Sequence, residues 1–561
     1  MIKDILTDSI GQALGSLGIT APVITLEHPA DLAHGDYSCN VAMMVSKQVG
    51  KSPKELAENI KTEIEKNKPA EVEKVEVAGP GFINFYLSEK FFVDSLKEIL
   101  EEREKYGSSD KLAKQKTIVE YTDPNPFKLF HIGHLMTNAV GETLARTQEF
   151  FGAEVKRANY QGDVGLHVAK TVADKVYRND FTPWATVAEA GASYASASTL
   201  YKESEDFQKF TVEINKKLYD KSDSKINELY GAGKKLSLDD FERIYKRLGT
   251  KFDFYFFESD MAETGKKLVL EYKDKGIFEE SDGAIVFKGE KVDPGLHTRV
   301  FVNSEGLPTY EAKELALSKT KHDKYKYDKS IVVTGNEVNA YFDVLLAAMK
   351  MIYPELAEKT FHFGHGMLRL PSGKMASRTG DVITAEWLID ESKKVILEKL
   401  NESDRKFDDK ELLAEQIAVG AVKYSILKQA VGQNFIYDIE TSVAFNGNSG
   451  PYLQYTYART CSILEKAGGM KEAKLADAPG AVEKLLYRFP EVVERAATEY
   501  APHYICTYLY ELASAFNSFY NDKQIVSDEP ESHYRVALTD TVGVVMKNGL
   551  TLLGIQTPEK M

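Results

Sequence analysis

The sequence predicts an α/β protein: a Rossmann-like, doubly wound parallel-sheet domain carrying an insertion, with a small α/β domain before it and an all-α helical bundle after it. Three observations predict this. Thr117 to Phe151 reads as a β-branched and apolar strand, a break at Asp123-Pro124-Asn125-Pro126, and a helix with Leu135, Met136, Ala139, Val140 and Leu144 on its apolar side. The strand signal returns at Glu154–Tyr160, Ile331–Gly335 and Phe361–Leu368. From about residue 410 to Met561 the pattern is of long amphipathic helices with no strand rhythm.

At 561 residues the chain is too long for one core, and about 150 residues per domain predicts three or four. Hydrophobic residues make up 43% and charged residues 28%, and no run approaches the ~18 apolar residues of a membrane span. The opening Met-Ile-Lys-Asp-Ile-Leu-Thr-Asp has an early acid and no apolar core, so a cytoplasmic protein without a secretory signal or a membrane partner is expected. Cys39, Cys461 and Cys506 lie far apart with no histidine cluster beside them, which indicates neither a disulfide framework nor a metal site. A net charge of −14 argues against a general polyanion binder. It leaves room for a structured RNA held on a local basic surface with unpaired bases stacked on aromatics.

Taken in order, residues 1–110 form the first unit. It has an amphipathic opening helix, a turn at Ala33-His34-Gly35-Asp36-Tyr37 and a helix from Pro53 to Lys66. A strand pair through Val72–Tyr86, joined at Gly79-Pro80-Gly81, completes it. His34 and Asp36 read as turn residues with local hydrogen bonds. A charged helix from Asp94 to Lys105 and a polar stretch to Lys116 link this unit to a second domain spanning 111–395. About residues 171–289 lose the βα rhythm and read as an insertion. It contains a helix announced by the capping pattern Ser237-Leu238-Asp239-Asp240 and an aromatic strand at Phe252–Phe257. The fold resumes near Leu296, a helix begins in Leu307–Glu314, and residues 396–561 form the bundle.

The chemistry gathers at two places. His131-Ile132-Gly133-His134 stands where a helix starts, and unpaired N–H groups with the positive end of the helix dipole favour an anion such as a triphosphate. Gly133 removes the side chain where a purine or phosphate approaches the backbone, and the two imidazoles can donate to oxygens gaining charge. Downstream, Ser372 to Gly380 is a glycine-flanked loop whose Lys374 and Arg378 could neutralise a departing pyrophosphate.

The HIGH tetrad and the KMSKS-like loop together resemble the paired signatures of class I aminoacyl-tRNA synthetases. Val119-Glu120-Tyr121-Thr122-Asp123-Pro124-Asn125, followed by Lys128, resembles the arginyl-tRNA synthetase version, and the similarity runs over nearly the whole chain. The resemblance implies an arginine–tRNA ligase using ATP with Mg2+, L-arginine and tRNA(Arg), acting as a monomer. It implies catalytic roles for His131, His134, Lys374, Arg378 and Lys128, and an ATP seat at His131, Gly133, His134, Met367, Leu368 and Lys374. The planar guanidinium fork calls for carboxylates in its pocket. Glu120, Asn125, Tyr310, Glu314 and Glu337 are the residues expected to bind arginine. Gly162-Asp163 and Glu258-Ser259 also match pairs of the family. The N-terminal unit is expected to touch the tRNA elbow, and Tyr452, Tyr455 and Tyr457 to stack on anticodon bases.

The chain departs from the family at Val164, which replaces an aromatic residue, and at Ser377, which takes the second loop-lysine position. Glu314 stands where aspartate is usual, and Glu337 where glutamine is often found. The resemblance further implies that tRNA binds before the amino acid is activated. A small-molecule nucleotidyltransferase would have no use for the flanking domains. A non-catalytic RNA-binding relative could lose His131, His134 or Lys374, all of which are intact.

Overall fold

The computed structural model describes residues 2–20, 23–371, 383–403, 405–468 and 479–561. Five strands, β1 (Lys116–Glu120), β2 (Glu154–Gln161), β3 (Phe254–Phe257), β4 (Lys329–Gly335) and β5 (Thr360–His365), form a wholly parallel sheet in the order β3-β2-β1-β4-β5. β1 is central, and its Thr117, Ile118, Val119 and Glu120 are all buried. A strand covered on both faces reads as a continuous apolar run and not as an alternation. After β1 the chain steps out to β2 and β3, and after β3 it crosses back to β4 and β5. The order therefore reverses between β1 and β4, and the crevice beyond their carboxyl ends is where such folds bind ligands.

Four helices frame that crevice: α1 (Ile132–Phe150), α2 (Ser224–Leu248), α3 (Glu258–Asp274) and α4 (Tyr310–Lys324). α1 is buried on nearly every side because the sheet lies under one face and the bundle helix Lys410–Leu427 on another. Gly141 admits the Tyr121 ring against its backbone, where any Cβ would collide with that ring. The Tyr121 hydroxyl donates to Glu142 at 2.5 Å, and Glu142 is held ionised by Arg146 and Arg157 against the cost of its burial.

The N-terminal unit packs its helices, including Ile2–Ser16 and Pro53–Lys66, on a four-stranded sheet. In that sheet Val72–Ala78 and Phe82–Leu87 pair antiparallel, as the alternation across Gly-Pro-Gly predicts. Asp36 is buried and accepts from Leu87 N at 2.8 Å, so it ties the turn to the sheet across 51 residues and does not make the local bond the turn pattern suggests. This unit has its own core, into which Tyr487 of the bundle inserts, while the sheet domain and the bundle share one continuous core.

Three local expectations are corrected. The aromatic strand was placed in the insertion, but residues 254–257 are β3, hydrogen-bonded to β2 at the edge of the main sheet. Ser237 does not cap a helix. It lies inside α2, whose N-cap is Asp223, and Ser237 Oγ accepts from Phe127 N at 2.9 Å. The segment after Leu296 supplies Thr298–Val302 to a separate three-stranded antiparallel sheet, and the main sheet resumes only at β4.

Candidate active site

β1 ends in a turn with three non-glycine residues at positive φ, Thr122 (81°), Asp123 (42°) and Phe127 (68°). Such backbone is strained, above all for β-branched threonine, and persists only where surrounding bonds over-determine it. Here Asn138 Nδ2 donates to Thr122 Oγ1 at 3.0 Å, Tyr160 N donates to Asp123 Oδ1 at 2.7 Å, and Ser237 Oγ takes the Phe127 N–H.

His131 is the N-cap of α1. Its Nδ1 accepts from Gly133 N at 3.1 Å, and His134 Nδ1 accepts from His131 N at 3.3 Å, a capping box built from two imidazoles. The rings stack with centroids 3.7 Å apart. Burial, aided by Lys128, pushes His131 down to about 4. Burial, with His131 and Lys128 beside it, lowers His134 well below the usual imidazole range. Two neutral rings that accept at Nδ1 must carry their protons on Nε2, so both are fixed as Nε2–H donors. Lys128 lies on the same turn, its ammonium 5.3 Å from the Tyr194 ring centroid, and burial lowers its pKa with Glu258 opposing.

Lys374 and Arg378 lie outside the described residues. The chain re-enters beside HIGH, where Ile132 N donates to Ile383 O at 3.2 Å, Ala385 N donates to Phe130 O at 2.9 Å, and His131 bridges Thr384. On the other side, Met367 N donates to Asn434 Oδ1 at 2.7 Å and Met367 O accepts from Phe435 N at 3.0 Å. Leu368 pairs with Phe435. The Met367 backbone expected to face adenine is thus already engaged by the 434–435 segment.

Beyond the end of β1 lies a ring of carboxylates. Glu120 is buried in an ion pair with Lys321 at 2.7 Å, and Glu258 is buried in one with Lys313. Asp163 is fully buried and paired with Lys234 at 2.6 Å. Glu314, one position after Lys313 on α4, has no ion pair or side-chain hydrogen-bond partner among the described residues. Burial, with Glu120 next to it, pushes Glu314 up to about 8. Asp123 is likewise raised, by burial first and Glu120 second. Tyr310 opens α4 with its ring beneath the Lys313 ammonium at 4.7 Å and half its surface accessible, so it edges an open cleft.

Asn125 and Glu258 converge on Gly162. A Cβ there would collide with Asn125 Oδ1 and stand 2.9 Å from Glu258 Oε1. Glu337 is exposed in the turn that follows β4.

The three tyrosines of the bundle separate. Tyr455 is half-buried with the Arg459 guanidinium 4.9 Å from its ring centroid, Tyr452 accepts from Asn517 Nδ2 at 2.9 Å, and Tyr457 is in the core at 6% exposure. Sequence reasoning missed Lys313, Lys321, Tyr230 and Lys234. Lys321 stands seven residues after Glu314, on the same helical face, and that spacing could have found it. Tyr230 and Lys234 carried no signal, since only the folded insertion brings them to Asp163. Among the described residues no group of three or more His, Cys, Asp or Glu converges to hold a metal ion, and no helix is long and apolar enough to cross a membrane.

A switch-point crevice entered through a paired-imidazole helix cap, with a carboxylate-lined pocket beside it and a helical bundle behind it, is the architecture of a class I tRNA synthetase. The family model described as "tRNA synthetases class I (R), catalytic domain" matches residues 95–439, the DALR anticodon binding domain matches 453–561, and the arginyl tRNA synthetase N terminal domain matches 2–87. The chain belongs to the arginyl-tRNA synthetase family. It is 30% identical to an arginine–tRNA ligase of Treponema denticola, covering 96% of this chain and 95% of that protein. It is 32% identical to one of Clostridium botulinum, covering 96% of each. The arginyl-tRNA synthetase structure of Thermus thermophilus superposes with a TM-score of 0.82 at 24% identity, covering 100% of both chains, and shares the fold.

Proposed function

We infer that this protein is an arginine–tRNA ligase, forming arginyl-adenylate from arginine and ATP and passing the arginyl group to the 3′ end of tRNA(Arg). The observation that carries the reading is Glu314. It is a carboxylate without a partner among the described residues, in a pocket where Glu120, Glu258 and Asp163 each already hold a lysine. A guanidinium supplies the missing cation, and its planar fork takes a carboxylate through two hydrogen bonds as a lysine ammonium cannot.

In the first step the arginine carboxylate attacks the α-phosphorus, the bond to the bridging oxygen breaks, and pyrophosphate leaves. No side chain acts as nucleophile. His131 and His134 donate from Nε2 to phosphate oxygens, Lys374 and Arg378 close on the pyrophosphate, and Lys128 adds charge from below. Gly133 leaves room for the nucleotide, with Met367 and Leu368 beside it. The Met367 carbonyl keeps a second lone pair for the adenine amino group. Asn125, Tyr310 and Glu258 hold arginine with Glu314, while Glu337 faces the α-amino side of the cleft. Glu120 acts through its ion pair with Lys321 as the negative wall behind them. In the second step the terminal ribose hydroxyl attacks the activated carbonyl and AMP leaves. Mg2+ enters as the ATP complex. The protein works as a cytoplasmic monomer, with Tyr452 and Tyr455 meeting the anticodon.

The test is pyrophosphate exchange into ATP with each of the twenty amino acids, with and without tRNA. Exchange with arginine alone, and only with tRNA present, is expected. Exchange with another amino acid overturns the substrate, and arginine exchange without tRNA overturns the coupling. Lys374→Ala at an unchanged rate would move the loop's role to Lys128.

A further inference from the structure

α2 spans 25 residues, about 37 Å at 1.5 Å per residue, and different stretches of it grip different parts of the molecule. Its middle meets the amino-acid pocket. Lys234 Nζ donates to Asp163 Oδ2 at 2.6 Å and lies 3.8 Å from the Phe257 ring centroid. Tyr230 OH donates to the same oxygen at 3.0 Å. Ser259 donates to Asp163 from its backbone N at 2.8 Å and its Oγ at 2.7 Å. Phe257 and Ser259 are the residues on either side of Glu258, so the Asp163–Lys234 pair holds the backbone that aims Glu258 at Asn125 and Gly162. One turn on, Ser237 holds the strained turn before HIGH through Phe127 N.

The end of α2 meets the helix Ala385–Glu402, which leads into the bundle, and the bundle helix Lys410–Leu427. Arg243 binds Glu386 through two bonds of 2.6 and 2.7 Å. Arg247 pairs with Asp390 and, at 2.5 and 3.2 Å, with Glu415. The Leu248 carbonyl accepts from the buried Lys423 Nζ, which also donates to Gly554 O, both at 2.7 Å. One helix thus contacts both places and gives them a shared rigid element.

We propose that α2 is the strut through which the bundle sets the geometry of the amino-acid pocket, with Lys234 the positioning residue that keeps Glu258 in place. The proposal rests on the reading of that pocket as arginine's. Without Lys234 the Asp163 carboxylate is a buried charge that has lost the cation fixing it beneath Ser259. The first turn of α3 is then free to shift, and Glu258 with it.

The experiment is arginylation of tRNA(Arg) at saturating tRNA, with KM measured separately for arginine and ATP. Lys234→Met should raise the arginine KM about tenfold and leave the ATP KM within about twofold, and Lys234→Arg should restore most of the loss. Arg247→Ala, 13 residues or about 20 Å along the helix, should move the arginine KM about threefold in the same direction. If Lys234→Met does not fold, Tyr230→Phe removes one of the same bonds and should give a smaller rise in the arginine KM alone. The proposal falls if the arginine KM is unchanged in these variants, if both KM values rise together, or if Arg247→Ala alters only the thermal midpoint. Wild-type protein without arginine-dependent activity would overturn the functional reading instead.

Discussion

Raising the pH through about 8 should tighten arginine binding, because Glu314 must lose a proton before it can take a guanidinium. Burial, then the Glu120 carboxylate, hold its pKa up to about 8, and Lys321 and Lys313 only partly oppose them. Asp123 and Glu258 also face the site, both with pKa values raised chiefly by burial, while Lys313 stays with Glu258. At pH 7 the empty pocket is then about one unit below the Glu314 pKa. Each unit costs ~1.4 kcal/mol, so the apparent Kd for arginine is about tenfold weaker than on the alkaline plateau, and log Kd falls with a slope near −1 below about pH 8.

Isothermal titration in two buffers of different ionisation enthalpy should count about 0.9 proton released per arginine bound at pH 7. Glu314→Gln should abolish both slope and proton release, and weaken binding at high pH by about 1.5–3 kcal/mol. The same shift affects stability. The folded state keeps a proton that the unfolded chain releases near 4.5, so this stabilisation is complete below 4.5 and is lost as pH rises through about 8. A flat arginine Kd between about pH 6.5 and 8.5 in wild type, or a slope that survives in Glu314→Gln, refutes the reasoning.

Other expectations concern the neighbouring parts. His131→Asn preserves an N-cap acceptor but loses the Nε2–H, so thermal stability should change by no more than ~1 kcal/mol while the activation rate falls ~10²–10³-fold in single-turnover assays. With His131 held down to about 4, the wild-type activation rate should show no inflection from this ring near pH 6.5 when followed by stopped flow. Gly162→Ala places a methyl group against Asn125 Oδ1 and Glu258 Oε1, so the arginine KM should rise by at least about tenfold with little change in the ATP KM. Lys423→Met leaves the carbonyls of Leu248 and Gly554 without their donor, which should cost ~1–3 kcal/mol in denaturant unfolding.

The order of layers and the HIGH helix were legible from residue pattern and spacing alone, whereas the Glu314 departure was legible only through the resemblance to the family. A β-branched run, a proline-rich break and a helical period are local signals, and the helix start that binds phosphate is local chemistry. β3 was misplaced because four aromatic residues make the same pattern in an insertion as at a sheet edge, and only the pairing of Ala158 with Phe254 distinguishes them. The ion pairs that occupy Glu120, Glu258 and Asp163 and, among the described residues, leave Glu314 without one were not legible either. Glu120 meets Lys321 from 201 residues away, and Asp163 meets Lys234 across 71. Tyr457 reads like Tyr455 in the sequence, yet two residues turn a helix by about 200°, which sends one ring into the core and leaves the other half-exposed. The sequence by itself determined which side chains could do the chemistry. Tertiary structure decided which of their charges were already spent on one another, because electrostatic pairing in a buried site depends on distance through space and leaves no trace in distance along the chain.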